Sequence, residues 1–202
     1  MQSDSSSDST RPPLTLASKD PKAITALEVD DGDGDEYNAE LFVASAENHL
    51  IAGLLCSTAD EAAAILRLIE DTDLENFIAG AVVTIIRTLL SEHPRPELTP
   101  QAVIARARRV RDVEHASFSR LADYIMKAYT MGTPISARCD AAQVVEDAYL
   151  RSHAEFGTRI KQMADSFATV EDLKQLRRTA NDGWDAMESR ILALRARTSS
   201  LS

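Results

Sequence analysis

The sequence predicts an all-α protein, a compact five-helix bundle followed by a long helical hairpin. Three observations carry that prediction. The 202 residues are 44% apolar yet include only seven glycines and seven prolines, and Ala, Leu, Ile and Arg are abundant, which favours helix over sheet. Apolar residues recur at spacings of three and four, the period of one helix face. The clearest pattern fills the last third, from about Asp140 to Arg197, as two such stripes separated by a short break.

Residues 1–36 read as a disordered acidic tail, because Ser, Asp, Pro and Thr dominate and there is little to bury. Within the first 40 residues, ten acids against three bases give −7, and 22 acids against 19 bases in the remainder give −3, which together make the net charge of −10. The folded part is therefore only mildly acidic, and net charge does little to define its partners. Asp31, Asp33 and Asp35 alternate as in a calcium loop. However, Glu36 stands where such a loop needs glycine, and Phe42 where it needs glutamate, so a solvated linker is expected.

The bundle is expected over residues 37–133. A first helix from Asn38 to Leu55 begins on an Asn cap and holds Gly53, where a neighbouring helix can approach closely. A second spans Ala59 to Ile69. The acidic run Asp71 to Glu75 punctuates the chain before a third, Leu74 to Ser91, that is apolar on most sides and so is expected at the centre. The prolines of His93-Pro94-Arg95-Pro96 end it. Thr99-Pro100 is a cap followed by proline in the first turn, and opens a fourth helix to about Val113. A fifth, Ser117 to Thr130, is amphipathic, and Met131-Gly132-Thr133-Pro134 breaks the chain.

The hairpin is expected over residues 134–202. Val145, Tyr149, Ser152, Phe156, Ile160, Met163 and Phe167 form the stripe of its first arm. Leu173, Leu176, Ala180, Trp184, Met187, Ile191 and Leu194 form the stripe of its second. Thr169, followed by Glu171 and Asp172, is a helix start. No third helix follows, so the stripes pack either on the bundle or on another chain.

Sites of chemistry are scarce. His49, His93, His115 and His153 share no metal-ligand spacing, and Cys56 and Cys139 belong to no CxxC pair. Neither GxSxG nor HExxH occurs, and no carboxylate stands alone in an apolar run. No catalytic residue, metal or cofactor is expected. The cysteine usage suits a reduced cytoplasm, no transmembrane helix is expected, and the N-terminus lacks the pattern of a secretory signal. Arg106, Arg108, Arg109 and Arg111 are the best nucleic-acid candidates, since phosphate binding needs several cations on one face. The plainer account is a solvated face pairing with Asp112 and Glu114, because no aromatic is interleaved for base stacking.

The order of elements resembles the N-terminal domain of the DnaB-type bacterial replicative helicase over about residues 41–190. Ala46, Glu47, Leu50, Gly53, Leu54 and Leu55 match its first helix, Asp73-Leu74 is similar to its entry into the third, and Val144-Val145-Glu146 with Arg151 is similar to a later one. The sequence departs from the family at Ala79, where a histidine is usual, and its glycines fit no GxxxxGK[ST] phosphate loop, so the motor activity is not implied. The resemblance implies a domain that pairs through its hairpin, builds a collar on a hexamer and serves as a contact surface for primase and loaders, and the expected partner of this chain is replicative helicase or primase. On this reading the chain is a non-enzymatic module of DNA replication, a homodimer or higher oligomer. Its interface would comprise Val145, Tyr149, Phe156, Ile160, Met163, Leu173, Leu176, Trp184, Met187 and Ile191. The alternative is a nucleic-acid-binding accessory protein using the arginine cluster.

Overall fold

The computed structural model describes residues 45–93, 96–109, 118–132 and 136–196. The acidic tail, the expected Asn38 cap, and the stretch holding Arg111, Asp112, Glu114 and His115 lie outside the described residues. Among those described there are seven α-helices and no strand: α1 (Ala46–Cys56), α2 (Ala59–Leu66), α3 (Phe77–Glu92), α4 (Pro100–Ala107), α5 (Phe118–Thr130), α6 (Ala137–Asp165) and α7 (Val170–Ala196). A 3-10 turn, Asp71–Asp73, joins α2 to α3.

Local chemistry sets these bounds. Thr58 accepts from the Glu61 amide to cap α2, and Thr99 accepts from the Ala102 amide to cap α4 ahead of Pro100. Asn76 caps α3 by accepting from Ile78 and Ala79, so α3 starts three residues later than the apolar pattern suggests. Thr169 and Asp172 form a reciprocal capping box at the start of α7: the Asp172 amide donates to Thr169 Oγ1 (3.2 Å), and the Thr169 amide donates to Asp172 Oδ2 (3.0 Å).

The helix at the centre is α1 rather than the expected α3. It buries eight of its eleven residues and lies against α6, α5 and α3. Helix α3 turns Thr84 and Thr88 to solvent and buries Val82, Val83, Ile85 and Ile86. Gly53 is where α6 crosses α1, as the sequence suggests. A Cβ placed there would stand 2.7 Å from Ala137 Cβ and 2.8 Å from its Cα, so any side chain would force the helices apart.

The base of the hairpin belongs to this core. Ala137, Ala141, Ala142, Val144, Val145 and Ala148 of α6 are buried, as is Leu194 of α7. Met187 and Ile191 pack on the same core from its edge. Beyond Ala148 the two helices run on as a pair.

Candidate interaction surface

An ionic latch fixes the direction in which this pair leaves the core. Asp73 is wholly buried, and its carboxylate accepts two bonds from the Arg190 guanidinium (2.5 and 3.1 Å) and one from the Glu70 amide (2.7 Å). Arg190 also donates to the Leu68 carbonyl (3.2 Å), and Arg151 of α6 donates to the Asp73 carbonyl (2.6 Å). Both arms of the hairpin are thus tied to the turn between α2 and α3. Glu47 holds the next residues, accepting from the amides of Glu75 (2.7 Å) and Asn76 (3.0 Å). A buried carboxylate is tolerated only when paired and hydrogen-bonded, and Asp73 has both.

The sequence reading missed Asp73 and Glu47 as buried acids. A signal was present: Arg190 falls between Met187 and Leu194 at helical spacing, on a packed stripe where a charge needs a buried partner.

A stack of rings marks the end of the core. His153 lies parallel to Trp184, with centroids 3.8 Å apart and 14° between planes, and Tyr149 flanks it at 4.4 Å. Phe156 meets the other side of the indole edge-on at 5.0 Å. The indole N–H donates to Ser152 Oγ (2.9 Å), and the Tyr149 hydroxyl donates to Glu188 (2.9 Å). That bond to Glu188 is the main cause of a Tyr149 hydroxyl that ionises above the usual tyrosine value. His153, one of the four histidines without metal-ligand spacing, is the middle member of this stack.

Beside Trp184 a cleft of about 290 Å³ opens between the arms, floored by Phe156, Leu176, Ala180 and Met187. Glu155 and Arg159 form its lip on α6. Gly183 stands over open space, with nothing within 4 Å of where its Cβ would be.

Past the cleft the hairpin is only two helices thick. Met163, Leu173 and Leu176 are half-buried between the arms, and Ile160 is 36% exposed. At the tip Phe167 is 94% exposed and Val170 is 69% exposed. Phe167 also has a φ of +56°, the left-handed region. It stands where a helix usually ends on glycine. The Ala168 amide donates to the Met163 carbonyl (3.0 Å) and the Phe167 amide to Ala164 (3.3 Å), the bonding pattern of a Schellman turn. A side chain in this conformation costs ~1–2 kcal/mol.

The ten expected interface residues therefore divide. Val145 is fully buried in the core, and Met187 and Ile191 border it. Tyr149, Phe156 and Trp184 form the ring stack, and Ile160, Met163, Leu173 and Leu176 line the distal pair. Of the arginine cluster, Arg106, Arg108 and Arg109 lie among the described residues, and Arg111 lies outside them. Arg106 pairs with Glu92 (2.6 Å), Arg108 lies over the Phe118 ring (5.0 Å), and Arg109 is exposed.

Among the described residues no group of three or more His, Cys, Asp or Glu side chains could hold a metal, and no helix is long and apolar enough to cross a membrane. No family model, curated protein or solved structure matches the chain.

Proposed function

We propose that the chain is a non-enzymatic interaction module that associates with itself through the distal half of its helical hairpin. The bundle of α1 to α5, with the base of the hairpin built into it, is the platform that presents that half. The supporting observation is the half-exposed apolar seam at Ile160, Met163, Leu173 and Leu176, which continues a packed stripe past the point where the bundle covers it. Two copies laid along this seam would turn two two-helix layers into four, the smallest arrangement in which such stripes form an interior.

The resemblance to the helicase N-terminal domain extends this reading. The module would act in DNA replication in the cytoplasm, contacting replicative helicase or primase once paired. Light scattering of the full chain tests the self-association, and a monomer at every concentration would remove it. Pull-down with purified helicase and primase at micromolar concentration tests the partners, and no association with either would remove that part alone.

A further inference from the structure

The exposed ring at the tip of the hairpin and the apolar cleft beside Trp184 lie on one element, and one chain cannot bring them together. Along α6, Phe167 lies eleven residues beyond Phe156, ~16 Å at 1.5 Å per residue. The two arms are continuous helices packed on one another, so the tip ring cannot fold back into its own cleft.

The chain therefore carries an exposed, strained phenyl ring and, on the same element, an open apolar recess of about 290 Å³ with a ring at its edge. Charge matches as well. Arg159 at the lip and Asp165 just before the tip are both exposed, and neither has an ion-pair partner among the described residues. Glu155 also stands at the lip, four residues before Arg159 on α6, and Lys174 near the tip pairs with Glu171 at 3.3 Å.

We propose that Phe167 of one copy inserts into the Trp184 cleft of a second copy, with Asp165 meeting Arg159 across the contact. A two-fold axis near Ile160 makes both insertions at once, since a self-complementary contact repeats itself. This fixes the hairpins antiparallel and in one register. It also accounts for phenylalanine at a glycine position: the ring is the anchor, and the left-handed backbone aims it off the end of α6. Aromatic anchors seated in small apolar pockets carry most of the affinity of such interfaces.

The inference rests on the self-association proposed above, and the test separates the two. In full-length chains with Cys56 and Cys139 replaced by serine and Phe167 kept, Ala168→Cys combined with Ala180→Cys gives a covalent dimer on oxidation, and neither single variant does. At concentrations where the chain is monomeric, Phe167→Gly and Gly183→Leu each raise Tm, the first by relieving the backbone and the second by replacing an open helical glycine. Each also weakens the dimer at least tenfold in Kd, because one removes the anchor and the other fills its seat. Arg159→Asp weakens the dimer, and adding Asp165→Arg in the same chain restores it.

A dimer whose 168/180 cysteine variant forms no cross-link, or whose Kd is unmoved by Phe167→Gly and Gly183→Leu, overturns the tip-in-cleft contact and leaves self-association standing. A wild-type chain that is monomeric throughout overturns both.

Discussion

From Ala137 to Ala148, α6 buries Ala137, Ala141, Ala142, Val144, Val145 and Ala148, whereas from Phe156 to Asp165 it buries none of its residues. Both stretches repeat apolar residues at helical spacing. What differs is their size. Small side chains at the base let α6 approach α1 until Ala137 sits on Gly53, and the core closes over them. The large side chains further out, Phe156, Ile160 and Met163, have only α7 to lie against, and one helix cannot cover them. The same periodicity thus serves as core where the residues are small and as exposed surface where they are large.

The largest expected effects come from the base. Asp73→Ala leaves the Arg190 guanidinium buried without its carboxylate and should cost ~3–5 kcal/mol of stability, read from urea unfolding. A loss below ~1 kcal/mol would mean that the latch does not hold the hairpin to the bundle. Gly53→Val should cost ~1–3 kcal/mol, because the added atoms meet the Ala137 backbone, which has no rotamer to move.

The distal half should respond in the opposite sense. Ile160→Glu combined with Trp184→Glu should abolish self-association while the helical circular dichroism is retained. Phe167→Gly should stabilise the isolated chain by ~1 kcal/mol, since glycine adopts the left-handed conformation without strain.

The smallest effect concerns pH. The hydroxyl of Thr169, and then its backbone amide, hold the Asp172 carboxyl below its usual value of 3.8. A lowered value in the folded state makes the contribution complete above pH 3.8 and lost as pH falls further through the folded value. The protection of the Thr169 amide, its intrinsic exchange rate divided by its observed rate at each pH, should therefore fall below that pH, and Asp172→Asn should remove the dependence. Protection that stays flat on acidification would show that the carboxylate is not what holds the turn.

Much of this architecture was legible in the sequence. Caps at Thr99 and Thr169 and the close approach at Gly53 follow from single residues with one physical role. The bounds of α3 were less legible, since Asn76 rather than the apolar run decides where it begins. The centrality of α1 was hidden because Glu47 and Asn48, polar in sequence, are buried and satisfied by distant partners: Glu47 by the amides of Glu75 and Asn76, Asn48 by the Tyr124 hydroxyl at 2.5 Å. Burial there holds Tyr124 well above the usual tyrosine value, with the negative charge of Glu47 adding to it.

For the candidate surface, the periodic stripe located the residues but not their division. Nothing in spacing alone says that the bundle covers Val145 and stops short of Ile160. The left-handed Phe167 lay at the end of a stripe and carried no local mark of its backbone conformation.

Self-association through the distal half of the hairpin is read from the mass of the full chain by light scattering across the micromolar range, beside the Ile160→Glu, Trp184→Glu variant. The expected wild-type mass rises to at least twice 22.1 kDa, with the variant held at 22.1 kDa. A wild-type chain that stays at 22.1 kDa throughout would contradict it.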